Sequence, residues 1–298
     1  MKEAMSPEAA AERIRNALDL MKKNGSHLEN ILNAFSGLLI EQARLKAELS
    51  SDNIFVKKDE YERERLGKGA PLTSREKLIG IGNMWKVGIE RLMPPMMTGF
   101  PNIAKQLEKL KSSITSEKFD LDLYAAEVLE EVNPNTLETA SDSAVDRGIV
   151  KFVLIHISKP FVEKRAETFK PFTDGLFWER GYCPICGSLP ELSILREKEG
   201  RRWLRCGFCR HEWPFMRTAC PCCETQESGN AENLFIDGRE HERLELCLHC
   251  RKYVAEIDIR AAIEEPVLEI VGIGLLHLDV LARKRGFRSM GGSWGSVM

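Results

Sequence analysis

Apolar residues in the first half of the chain recur at three- and four-residue steps, the period of a helix that buries one face. Ala10, Ile14, Leu18 and Met21 predict a helix over Pro7 to Lys23, with Ser6 as its N-cap and Gly25 as its stop. Ile31, Phe35, Leu38, Leu45 and Leu49 predict a second over His27 to Leu49, with the polar Gln42 at the one skipped step. The two read as an antiparallel pair. A charged stretch, KKDEYERERLGKGAP, follows. Thr73 or Ser74 then caps a helix that should end at the breaker Pro94-Pro95. Further helices are expected over Asn102 to Lys111, Phe119 to Val132 and Ser143 to Phe169. Large apolar residues among them, such as Trp85, Met96 and Met97, read as core.

Past Phe169 the period changes. LPELSILRE and RRWLRC flank KEG as a hairpin, and HEWPFMR gives a third short strand. AENLFI and ERLELC flank DGREH as a second hairpin, followed by KYVAEIDI. Two small β modules in succession are the consequence. A final helix is expected from Pro266 to Arg285, with Gly286 just past its end.

Cysteine distribution sharpens this division. All nine cysteines lie between Cys183 and Cys250. The reading is a mainly α domain over 1–178, β modules over 179–218 and 219–260, and a C-terminal helix and tail over 261–298. A chain of 298 residues, 43% of them hydrophobic, is long enough for such an arrangement. Its start lacks the apolar core of a signal peptide, and Val267 to Ala282 is interrupted by Glu269, His277 and Asp279. A cytoplasmic protein with no membrane partner is therefore expected. Oligomeric state stays open, a homo-oligomer included.

Eight cysteines form four CxxC units: Cys183/Cys186, Cys206/Cys209, Cys220/Cys223 and Cys247/Cys250. The hairpins between them can bring two turns face to face, so the expectation is two metal ions, each in a four-cysteine site. Four thiolates in tetrahedral geometry suit iron or zinc, and the choice between the two stays open. In such turns backbone amides after the first cysteine can donate to its sulfur, and a glycine after the second tolerates positive φ, as Gly187 would.

The ninth thiol, Cys222, sits inside the third turn and is read as a free or packed bystander. His211, His241 and His249 are read as neighbours of the sites or surface residues, because eight thiols already suffice. A thioredoxin-like reading lacks the strand-then-helix setting that such a CxxC needs, and disulfides are disfavoured in a reducing compartment.

The net charge of -2 gives no bulk attraction for phosphate. From Cys183 to Tyr253, eleven Arg and Lys face eleven Asp and Glu, and a divalent ion with four thiolates adds two negative charges per site. Nucleic acid is thus a disfavoured partner. Arg205, Arg210, Arg217 and Arg251, beside the turns, are expected to offset thiolate charge.

The ordered set WERGYCPICGSLP, a second CxxC, HEWPFMRTACPCCE, and a fourth CxxC with Tyr253 just after it resembles the formate dehydrogenase accessory proteins of the FdhE family. The resemblance runs from about Pro160 to Phe287. It implies a helical N-terminal domain joined to two rubredoxin-like modules, with iron as the usual metal. It also implies a non-enzymatic role in assembling or activating formate dehydrogenase through its catalytic subunit. Leu248 and His249 depart from the more polar residues expected inside the fourth unit, and RSMGGSWGSVM has no counterpart and is expected to be disordered. Two other functions fit the residues: a rubredoxin-like electron carrier and a zinc-ribbon nucleic-acid-binding protein.

Overall fold

The structure is a computed structural model that describes residues 5–24, 28–50, 62–115, 120–130, 145–175, 178–227 and 229–291. In chain order the helices are α1 Pro7–Asn24, α2 Glu29–Glu48, α3 Glu62–Gly67, α4 Arg75–Ile79, α5 Met84–Gly99, α6 Ala104–Ile114, α7 Leu121–Glu130, α8 Arg147–Glu167, α9 Lys170–Thr173, α10 Leu268–Gly274 and α11 Leu276–Lys284. The strands are β1 Pro190–Arg196, β2 Arg201–Cys206, β3 Glu212–Pro214, β4 Ala231–Phe235, β5 Glu242–Cys247, β6 Lys252–Asp258 and β7 Arg288–Ser289. The chain divides into two compact units, 1–56 with 76–165, and 57–75 with 166–296.

The first unit is helical, as its periodicity predicts. Ser6 Oγ accepts from the Ala9 amide and caps α1. Ile14, Leu18, Leu32, Phe35, Leu38, Trp85, Leu92, Met96 and Phe161 are buried, so the apolar stripes are core. Gln42 is buried with them because its Nε2 donates to the His156 carbonyl at 2.7 Å, which satisfies a polar group inside the stripe. Gly25 and His27 lie outside the described residues.

Pro94 and Pro95 do not break α5, which runs through both to Gly99. A proline costs a helix its own amide donor and crowds the preceding turn, yet its fixed φ is helical. Here Thr98 Oγ1 donates to the Pro94 carbonyl at 3.1 Å, and Met93 and Met96 on either side are fully buried. Packing on both sides holds the helix through the pair.

The second unit is built on one sheet in the order β3-β2-β1-β6-β5-β4. The two predicted hairpins are present, and β1 joins them by pairing parallel with β6, Leu192 beside Ala255 and Leu195 beside Asp258. Each ribbon therefore keeps its own cysteines while sharing a sheet with the other. On one face Leu192, Ile194, Leu244, Leu246, Tyr253 and Ile257 pack under α10 and α11. On the other, Arg202 from β2 donates to Ser193 Oγ at 2.9 Å, and Ser193 donates to Glu256 at 2.7 Å. Arg202 also reaches Glu245 and the carbonyls of Arg217 and Ala219. A buried guanidinium is tolerable only when its donors are answered, and residues of both modules answer this one.

The single helix expected from Pro266 to Arg285 is two, separated at Leu275, whose ψ of 5° lies outside the α range. Of the tail, residues 288–291 are among those described. Arg288 and Ser289 form β7 beside Lys252 and Tyr253, and Met290 is buried.

Candidate metal centres

Each CxxC unit folds into a turn of the same construction. The amide four residues after the first cysteine donates to that cysteine's carbonyl in the first, third and fourth turns: Gly187 to Cys183, Glu224 to Cys220 and Arg251 to Cys247, all at 2.9 Å. The residue at that position has positive φ in all four, as Gly187 (74°), Arg210 (62°), Glu224 (56°) and Arg251 (59°). Only the first is a glycine. Left-handed backbone costs other residues roughly 1–2 kcal/mol, so three turns hold a conformation that their sequence does not favour. Backbone amides aim at sulfur as anticipated: Phe208 and Cys209 donate to Cys206 at 3.3 and 3.4 Å, and Cys222 donates to Cys220 at 3.4 Å.

The turns meet in pairs. Cys183, Cys186, Cys206 and Cys209 form one group and Cys220, Cys223, Cys247 and Cys250 the other, with all sulfurs of a group within 4.8 Å of one another. Nearest sulfurs stand 3.5 and 3.6 Å apart in the first group, and 3.7 and 3.8 Å in the second. A tetrahedron with metal–sulfur bonds of about 2.3 Å has edges of about 3.8 Å, so both cages fit a four-coordinate ion of that size. Among the described residues no histidine joins either group. His211 stacks on Trp213, with burial holding its imidazole down to about 4.

Burial pushes the Cys183 and Cys209 thiols well up. It opposes ionisation at Cys186 as well, but donors from Cys183, Cys206 and Cys209 outweigh it and hold that thiol well below its usual range. The second group repeats the pattern: burial raises Cys220 and pushes Cys250 up to about 12. At Cys247 the Cys250 amide and neighbouring thiols prevail over burial and lower it. Four thiolates cannot share either cage without a cation, and a divalent one offsets them.

The two cages differ in cover. All four cysteines of the first are buried, whereas Cys223 and Cys250 of the second are half-exposed. The difference comes from the segment after α3. Leu72 and Thr73 donate their amides to the carbonyls of Pro184 and Ile185 at 2.9 and 2.8 Å, and Tyr182 hydroxyl donates to the Gly69 carbonyl at 2.6 Å. Pro71 lies against Gly187. This strap closes the first turn and was not legible beforehand, because its bonds are made by backbone more than a hundred residues away in sequence. Gly181 allows the Pro221 carbonyl to approach where a Cβ would stand 1.8 Å away, bringing the third turn beside the first module.

Cys222 belongs to neither group and packs, half-buried, with Leu189, Val254 and Met290. Three of the four arginines beside the turns have partners other than sulfur. Arg205 faces Glu269 at 3.5 Å and Glu212 at 3.8 Å, Arg210 pairs with Glu191, and Arg251 lies over the Phe287 ring at 3.9 Å. Leu248 and His249 are exposed at the tip of the fourth turn.

A family model described as "FdhE, central domain" matches residues 182–217, the first cage with its strands. A protein named FdhE homolog from Aquifex aeolicus is 25% identical over 276 residues, covering 91% of this chain and 90% of its own. The chain is thus similar to FdhE proteins along most of its length. The Protein FdhE of Escherichia coli O127:H6 is 34% identical over 108 residues, 35% of this chain and 33% of that one. The crystal structure of the FdhE protein from Pseudomonas aeruginosa shares the fold, with a TM-score of 0.63 at 20% identity over 95% of this chain and 94% of that chain. The FdhE-type architecture thus extends well beyond the segment that the family model matches. Among the described residues no helix is long and apolar enough to cross a membrane.

Proposed function

We propose that the protein is a cytoplasmic accessory factor for formate dehydrogenase, holding two metal ions on its eight paired cysteines and acting by binding the enzyme's catalytic subunit. Cys183, Cys186, Cys206 and Cys209 would hold one ion, and Cys220, Cys223, Cys247 and Cys250 the other. Similarity to a protein named FdhE homolog over 91% of this chain, and to the FdhE central-domain model over 182–217, supports the accessory role. The observation that carries the non-enzymatic reading is the cage itself. Four protein sulfurs at tetrahedral spacing fill every position of the ion, and a catalytic ion needs an open one. What the metal would supply is a cross-link: it would fix the two turns that flank one hairpin and neutralise thiolates that burial would otherwise keep protonated.

The test is anaerobic purification with metal analysis, followed by capture of a formate dehydrogenase catalytic subunit on the immobilised full chain. Two ions of iron or zinc per chain, with capture lost in both Cys206→Ser and Cys247→Ser, supports the reading. Metal-loaded protein that captures no catalytic subunit refutes it.

A further inference from the structure

The sheet of the second unit has two edges, and they are treated differently. At one end β3 is three residues long and contains Pro214, both of which blunt an edge against pairing. At the other end β4 is a regular five-residue strand that pairs with β5 from Ala231 to Phe235 without a bulge and contains neither proline nor lysine. Half of the backbone donors and acceptors of such a strand face away from its one neighbour. Among the described residues no strand pairs with its outer side.

Exposed apolar side chains stand beside it. Phe235 and Ile236 are 39% and 41% exposed. On the helix side of the strand, Glu232 accepts from Arg285 at 2.8 Å, just past the end of α11, and Leu234 packs against the core under that helix. Leu281, one helical turn before Arg285, is 45% exposed, and Val280 beside it 49%. The edge of β4 and the outer side of α11 therefore form a ledge on which an added strand would find backbone partners and alternate apolar contacts.

Charge selects the occupant. The second module, 219–260, carries nine Asp and Glu against five Arg and Lys, whereas the first, 179–218, carries five against eight. Glu227, Asp237 and Glu240 are exposed at the two ends of β4. A second copy of this chain would bring the same carboxylates together across the joint, at a cost. We propose that β4 is a docking edge for an extended segment of another protein, apolar at alternate positions and carrying lysine or arginine between them, which adds as a further antiparallel or parallel strand. That the segment belongs to the captured enzyme rests on the function proposed above; the edge itself does not.

The probe is a capped ten-residue peptide alternating valine and lysine, added to the metal-loaded full chain, with hydrogen exchange of the β4 amides and peptide anisotropy as readouts. The expected result is slowed exchange confined to 231–236, with binding roughly tenfold weaker when glutamate replaces lysine. Phe235→Lys with Ile236→Lys, both exposed and so compatible with folding, should abolish the protection while leaving metal content and circular dichroism unchanged. Absence of protection at β4, equal binding of the glutamate peptide, or protection that appears with protein concentration alone overturns the proposal, the last in favour of self-pairing. Capture of the catalytic subunit separates the two claims. If wild type and the double variant capture it equally, the edge proposal fails and the accessory reading stands; if neither captures it while the peptide binds wild type only, the reverse holds.

Discussion

The two cages are alike in ligand type, spacing and turn construction, yet one is sealed and the other is not. The first has a glycine at one of its two left-handed positions, Arg210 at the other, and a strap of backbone bonds across it; the second has Glu224 and Arg251 in that conformation and two half-exposed sulfurs. Tetrahedral geometry therefore does not determine how firmly an ion is retained. Retention depends on what must move before a sulfur meets water or a competing ligand, and a strap adds such a step.

The comparison breaks most visibly when a ligand is removed. Cys206→Ser and Cys247→Ser should each lower bound metal by one ion per chain, and each should destabilise by several kcal/mol, given the roughly 10–16 kcal/mol that structural zinc contributes in small peptides. Cys206→Ser should lower the thermal midpoint more, since its cage also anchors the strap. Metal analysis beside thermal denaturation checks this, and equal midpoints would remove the asymmetry. Next in size, a chelator should extract the two ions in separate phases differing by about tenfold or more in rate. Alkylation during the first phase should label Cys220, Cys223, Cys247 and Cys250 before the others; the opposite order would sink the claim.

A third expectation concerns protons and applies to both cages. In each, burial raises two thiols, Cys183 with Cys209 and Cys220 with Cys250, so these are protonated in the metal-free protein at neutral pH. Binding an ion must displace them, releasing at least about two protons per ion, and affinity must rise with pH. Calorimetry in two buffers of different ionisation enthalpy measures the release. Smaller still, Tyr182→Phe removes the bond to Gly69 at a cost of about 1 kcal/mol and should speed loss of the first ion alone. Smallest is Cys222→Ser, which should leave metal content at wild type and shift stability by less than about 1 kcal/mol.

Much of the site could be read in the chain because a metal cage writes its geometry as spacing: eight CxxC cysteines pair as their hairpins dictate. The helices were legible for the same reason, each apolar stripe marking a face. What could not be read depends on partners far away in sequence. Pro94-Pro95 looks like a stop until Met93 and Met96 are seen locked in the core. Gly69 to Thr73 looks like part of a charged linker, because main-chain hydrogen bonds have no sequence signature. The union of the ribbons was hidden too, since β1 and β6 lie sixty residues apart and their shared buried residues, Ser193, Arg202 and Glu256, resemble surface positions.

That parallel joint has an implication for inheritance and engineering. A chain cut after Arg217 would keep a complete first cage but leave β1 with a raw inner margin and take Glu245 and Glu256 away from Arg202, stranding a guanidinium with no counter-charge. The second ribbon, excised alone, would keep Arg243 beside Glu256 but lose the guanidinium that pairs with Glu245. Neither ribbon is a cassette that can be lifted out, although each looks self-sufficient in its cysteines. Gain or loss of one in a descendant chain would have to be accompanied by rewriting of the other.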